Sequence, residues 1–135
     1  MCAKIRAVSI YSARKNAQMK GNLQSMVINL TELPLMNWSD AQILAARRLT
    51  VDGVLREYEL PTIAPRDATI RVRDTGWDTE HKIYEAFSPI EAIIVQGEPI
   101  FVDAFVGACK SEIPPIACYS PCYDSNGNFV QFRRF

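Results

Sequence analysis

Long hydrophobic runs are missing from this chain of 135 residues. The longest apolar stretches, such as residues 104–109, span only a handful of positions, whereas about 18 are needed to cross a bilayer. Near the N-terminus Lys4 and Arg6 precede a short apolar run that polar residues soon interrupt, so the sequence shows no signal-peptide core. We therefore expect a soluble protein that resides in the cytoplasm and makes no contact with a membrane.

Recognisable catalytic motifs are equally scarce. The chain has no Gly-rich phosphate loop, no serine or cysteine in a nucleophile elbow, and no Cys-x-x-Cys motif opening a helix. Because His81 is the only histidine, any histidine-based acid–base mechanism must use it. These absences favour a non-catalytic protein without a cofactor.

The four cysteines suggest a metal site only weakly. Cys118 and Cys122 form one closely spaced pair, with Cys109 upstream and His81 or Cys2 as a fourth ligand, whereas structural zinc sites usually contain two such pairs. A chain long enough to bury its own core, without an export signal, usually keeps its cysteines reduced. We therefore predict buried thiols and no metal.

Charge of one sign is not in excess, because the formal net charge is zero. That balance argues against a dedicated nucleic-acid coat and gives little protection against self-association. The distribution is nevertheless uneven: residues 1–31 carry five cations and no acid, whereas residues 74–112 carry eight acids and two lysines. Such segments favour electrostatic contacts within or between subunits.

Two dense apolar runs within residues 90–108 dominate the predicted core. They are rich in β-branched and aromatic residues and are separated by Gln96-Gly97-Glu98-Pro99. A Gly-containing loop between two such runs is typical of a β-hairpin, and apolar residues on both faces indicate strands covered on both sides. We expect this segment to be the central hairpin of the fold.

The remaining pattern predicts further strands, two helices and a C-terminal hairpin. Ser39, Gln42 and Trp38 form a capping box and a staple for the first helix, at about Asp40 to Leu49. For residues 50–60 a hairpin around Asp52-Gly53 and a second short helix are both possible, and alternation from Val54 onward favours a strand. The other expected elements are strands at residues 4–11, 24–31 and 68–74, a helix at 79–87 capped by Asp78, and a hairpin within 116–135.

Together these elements predict one α+β domain over residues 1–135. We expect a mostly antiparallel sheet of five to seven strands, with two helices packed on one face.

A basic loop near the N-terminus is the best candidate for anion binding. Arg14, Lys15 and Lys20, with Arg6 nearby, would present flexible cations to a phosphate-containing small molecule or a nucleic-acid backbone. A solvated loop is the simpler alternative.

A second candidate site centres on Asp103, which interrupts an apolar run and therefore needs a partner or water. Arg71 or Arg73 would be its natural neighbour if their strands pair, and Trp77 and His81 would complete a pocket. The simpler alternative places Asp103 at an edge in contact with solvent.

The function that this sequence favours is a non-catalytic binding or assembly module that self-associates as a homo-oligomer. Oppositely charged segments and an aromatic-rich C-terminal strand support subunit contacts. The alternatives are nucleic-acid or nucleotide binding through the basic loop of residues 12–22, and a small enzyme with a pocket around Asp103, Trp77 and His81.

Overall fold

A computed structural model describes residues 25–135 of the chain. They form a mixed α/β fold in which five strands make one sheet. The strands are β1 Met26–Leu30, β2 Val54–Glu57, β3 Ile90–Val95, β4 Ala117–Tyr123 and β5 Phe129–Arg134. They lie in the order β2-β1-β3-β4-β5. The first three pairings in that order are parallel, and only β5 runs antiparallel to its neighbour. The prediction of a mostly antiparallel sheet is therefore wrong.

Three α-helices connect the parallel strands, because a parallel pair needs a crossover rather than a tight turn. Besides the short 3-10 helix Leu35–Asn37, they are α1 Asp40–Arg47, α2 Thr69–Phe87 and α3 Pro99–Lys110. Helices α2 and α3 share one core with the sheet, and α1 shares another on the opposite face. The prediction of two helices on one face is wrong in both number and placement.

Strands β1 and β3 are buried on both faces, as expected for parallel strands in the middle of a sheet. Ile28 and Ile93 point toward α2 and α3 and are fully buried. Val27 and Ile94 point the other way and share the second core with Trp38 and α1. Alternating residues of the same strands thus join the two cores through the sheet.

The predicted central hairpin exists only in its first half. Ile90–Val95 is a strand, but Pro99–Lys110 is a helix. Pro99 lies at the start of this helix, where its missing N–H costs nothing, and the Glu98 carboxylate accepts a 2.8 Å hydrogen bond from the Phe101 amide. Buried residues at four-residue spacing, Phe101, Phe105 and Cys109, then face the core.

Helix α2 replaces the predicted strand at residues 68–74, the turn at Thr75-Gly76 and the shorter helix that was expected to follow. Asp78 lies inside this helix, 3.1 Å from Lys82, and does not cap it. The middle of the buried face consists of Gly76, Thr79 and Glu80, so its hydrophobic period is weak. Gly76 allows α3 to approach closely rather than turning the chain.

Several local predictions are confirmed. The strand at residues 24–31 corresponds to β1, the first helix to α1, and the C-terminal hairpin to β4 and β5. Ser39 caps α1 by accepting from the Gln42 amide at 3.2 Å. The Gln42 side chain does not complete a capping box, because it hydrogen bonds to the Tyr123 hydroxyl at 3.0 Å.

Residues 54–57 form a strand, as the alternating pattern indicated. This strand pairs in parallel with β1 and not across Asp52-Gly53, so neither the local hairpin nor the second helix forms there. Gly53 has a φ of 68°, which a glycine adopts without steric cost. The predicted strand at residues 4–11 lies outside the described residues. Within residues 25–135, no helix combines the length and hydropathy that a bilayer crossing requires.

We expect Gly76→Ala to destabilise the fold by about 2 kcal/mol, measured by urea unfolding. A β-carbon at this position would lie 2.8 Å from the Phe101 carbonyl oxygen and 2.9 Å from the Ala104 β-carbon, so α2 and α3 would have to separate. Gly107→Ala is the matched control, because nothing lies within 4 Å of its added β-carbon. It should stabilise the protein by about 0.5 to 1 kcal/mol through helix propensity. Equal effects of the two substitutions would contradict the close helix contact.

Candidate ligand-binding site

The carboxyl ends of β1 and β3 lie at the point where the chain's connections diverge. The crossover after β1 runs over one face of the sheet to β2, and the crossover after β3 runs over the other face to β4. Loops that leave adjacent strands in opposite directions open a crevice, which is the usual ligand site of doubly wound sheets. A cavity of about 620 Å³ opens above β2, β1 and β3 at this edge. We call it the switch-point cavity.

The floor of the cavity is a fixed turn that follows β1. Asn29 is only 2% exposed, and its side-chain oxygen accepts a 2.8 Å hydrogen bond from the Thr31 hydroxyl. The Asn29 amide donates to the Leu33 carbonyl at 2.9 Å, and the Trp38 indole donates to the same carbonyl at 3.0 Å. These bonds satisfy the buried polar groups and hold the end of β1 in one conformation.

The opposite wall is the Pro-containing connection between β2 and α2. The Tyr58 amide donates to the Asn29 carbonyl at 3.1 Å and so extends the pairing of β2 with β1. The Tyr58 ring meets Phe87 edge to face at 6.1 Å, and Leu60 and Ile63 pack against the core. These apolar contacts anchor an otherwise irregular segment beside the cavity.

The lining of the switch-point cavity is acidic. Four carboxylates belong to it, and among residues 25–135 no lysine, arginine or histidine lines it. Carboxylates accept hydrogen bonds from hydroxyl and ammonium groups and repel phosphates. The acids are Glu32, Glu57, Glu59 and Glu98.

Glu98 occupies the N-terminus of α3, where an external anion could otherwise bind. A helix N-terminus carries partial positive charge and free N–H groups, which often bind an anion. Here the Glu98 carboxylate already accepts from one of these groups, the Phe101 amide. An external phosphate would have to displace this carboxylate. The cavity is therefore better suited to a neutral or positively charged organic molecule.

The sequence-predicted site residues lie elsewhere. Arg6, Arg14, Lys15 and Lys20 fall outside the described residues. Four others, from the second predicted pocket, are exposed on α2: Arg71, Arg73, Trp77 and His81.

Asp103 lies on α3 and lines a second groove of about 450 Å³ between that helix and the C-terminal hairpin. Lys110 and Phe135 also line this groove, but the four candidate residues of α2 do not. Since residues 68–74 are helical, the expected pairing of an arginine strand with an Asp103 strand does not form. The second predicted pocket is thus divided between two helices.

Sequence reasoning missed the residues of the switch-point cavity. Thr31 follows the last apolar position of β1, and Glu57 ends β2. Polar residues at strand ends identify a site only when the strands are known to be parallel, because only then do the carboxyl ends share one edge. In the expected antiparallel sheet, the ends of neighbouring strands would lie at opposite edges, so these residues were not expected to form one site.

In the part of the chain that the structure describes, Cys109 and Cys118 are buried free thiols and Cys122 is a partly exposed one. A hydrogen bond with the Cys118 thiol, followed by burial, raises the pKa of Cys109 far above its usual range. A protonated thiol is a poor nucleophile and a poor metal ligand. Over residues 25–135, no cluster of three or more histidine, cysteine or acidic side chains is arranged to hold a metal ion.

Alkylation of the folded protein should distinguish these cysteines. Near neutral pH, iodoacetamide should modify the partly exposed Cys122 well before the buried Cys109 and Cys118. Peptide mass spectrometry at increasing times gives the order, and a urea-unfolded sample is the control in which all three react. Early modification of Cys109 in the folded protein would contradict its burial.

Comparisons with known proteins do not assign a function to this chain. No protein-family model matches the sequence, and comparison with curated proteins and with solved structures finds no match. Functional interpretation therefore depends on the geometry of the carboxyl edge.

Proposed function

We propose that this protein is a non-catalytic binding module whose switch-point cavity holds a small neutral or cationic organic molecule. The observation that carries the proposal is a cavity at the divergence of β1 and β3, to whose lining the described part of the chain contributes four carboxylates and no cation.

The size and composition of the cavity support this proposal. A volume of about 620 Å³ lies within the range of roughly 300 to 1,000 Å³ that is typical of small-molecule sites. Tyr58, Leu60 and Ile63 provide apolar surface beside the carboxylates. A ligand with an apolar body and hydroxyl or ammonium groups would match both parts of the lining.

The placement of reactive groups favours binding over catalysis. His81 lies on the exposed side of α2, and Cys109 is a buried, protonated thiol on α3, so neither lines the cavity. The Thr31 hydroxyl donates a hydrogen bond to the side-chain oxygen of Asn29. Among the described residues, acid–base or nucleophilic chemistry in the cavity would rely on its carboxylates and on the hydroxyl groups of Thr31, Tyr58 and Thr62.

The proposal also includes a cytoplasmic location and self-association as a homo-oligomer, supported by the balanced but segregated charges of the sequence. Binding of a nucleotide or nucleic acid through residues 12–22 is a separate proposal. It is supported by the five cations and the absence of acids in residues 1–31.

Probes of different charge test the cavity directly. Agmatine, a small dication, and adenosine, a neutral nucleoside, should shift the NMR amide signals of residues 31–34, 57–63 and 96–98. Adenosine 5′-monophosphate should bind there at least about tenfold more weakly than adenosine, because its phosphate meets carboxylates. Unchanged spectra of the bound probes after prolonged incubation are expected for a non-catalytic protein.

Charge reversal supplies the matched control. Glu59→Lys, in the lining, should weaken agmatine binding about tenfold, whereas Glu91→Lys, outside the cavity, should change it little. Tighter binding of the monophosphate than of adenosine at these residues would contradict the proposed ligand class. Agmatine binding that is equally insensitive to both substitutions would contradict the site.

A further inference from the structure

Helix α2 leaves two large apolar side chains exposed on its outer side. Ile70 is 60% exposed and Trp77 is 50% exposed. They are seven residues apart, so they lie about two helical turns, roughly 10 Å, from each other on the same side of the helix. An exposed tryptophan in line with an exposed isoleucine is typical of a contact surface.

Charged residues beside these two side chains are arranged symmetrically about Asp78. Arg71 and Glu85 lie seven residues before and after it, and Asp74 and Lys82 lie four residues before and after it. Each equidistant pair consists of opposite charges. All five side chains are exposed on the helix.

This arrangement is complementary to itself when two copies of α2 run antiparallel. A twofold axis near Asp78 places each residue before the centre opposite one after it. Arg71 then faces Glu85 of the partner subunit, and Asp74 faces Lys82 of the partner subunit. Trp77 lies about 100° around the helix from Asp78, so the two tryptophans flank the same side of the contact, next to the axis. A parallel pair in register would instead place like charges together.

The central aspartates do not prevent this contact. The Asp78 carboxylate lies 3.1 Å from Lys82 of its own helix, which offsets its charge. Glu85 also approaches His81, at 3.8 Å, and its side chain is still 57% exposed. Both acids can therefore meet a partner subunit without losing their contacts within the helix.

We propose that two copies of this protein dimerise through antiparallel packing of α2 about a twofold axis near Asp78. The proposal rests on the self-association proposed above and is independent of the switch-point cavity. One helix from each subunit makes a small interface, so a dissociation constant in the micromolar range is expected.

Charge reversal and its rescue test this interface by sedimentation velocity of the full chain, from low micromolar to several hundred micromolar protein. Arg71→Glu and Glu85→Arg should each weaken dimerisation at least about tenfold, because each substitution disrupts two symmetry-related contacts. The double variant Arg71→Glu/Glu85→Arg should return to within about threefold of the unmodified protein. Trp77→Ser should weaken dimerisation without changing the circular dichroism spectrum.

Arg56→Glu, an exposed charge reversal on β2, is the control and should leave the dissociation constant unchanged. A monomer at every concentration would overturn both this interface and the self-association. A dimer unaffected by Arg71→Glu and Trp77→Ser would overturn the interface and leave self-association through another surface. Failure of the double variant to recover would overturn the antiparallel register.

Discussion

Parallel pairing of β1 with β2 on one side and β3 on the other is the interaction on which the rest of the structure depends. Parallel neighbours cannot be joined by a tight turn, so each connection must cross the sheet through a helix. The crossovers to the left and right of β1 lie on opposite faces, as right-handed connections require. That geometry buries β1 on both faces and opens the switch-point cavity at its carboxyl end.

Local signals in the sequence were sufficient for some elements. The cap at Ser39, the alternation of Met26–Leu30 and the turn signal before Phe129 each predicted the right element. These signals act over a few residues and do not depend on which strands are neighbours. Strand order depends on contacts between distant parts of the chain, so no local pattern in the sequence predicted it.

Two helices were misread for identifiable physical reasons. Residues 99–110 have the β-branched and aromatic composition of a strand, and the helical signal was confined to Glu98-Pro99 and to the four-residue spacing of buried side chains. In α2 the residue at the tight contact with α3 is Gly76, which permits close approach and adds no hydrophobic side chain to the pattern. These errors also explain why the candidate site was not predicted, because its residues share an edge only in a parallel sheet.

The acidic carboxyl edge distinguishes this protein from doubly wound proteins that hold a phosphate at a helix N-terminus. Glu98 serves both as the cap of α3 and as part of the cavity lining, so the same carboxylate stabilises the helix and sets the charge of the site. The buried Asn29, next to last in β1, likewise fixes the turn at the cavity floor through its side-chain hydrogen bonds. Fold and site therefore depend on the same few residues at this edge.

Amide hydrogen exchange of β1, followed by NMR, tests the central position of this strand most directly. Successive amides of a central strand donate alternately to its two neighbours, so all amides of residues 27–30 should be protected to a similar degree. The edge strand β5 provides the internal reference, with fast exchange at every second residue. Fast exchange at alternate residues of β1 would show that it lies at an edge, and would contradict both the parallel sheet and the cavity above it.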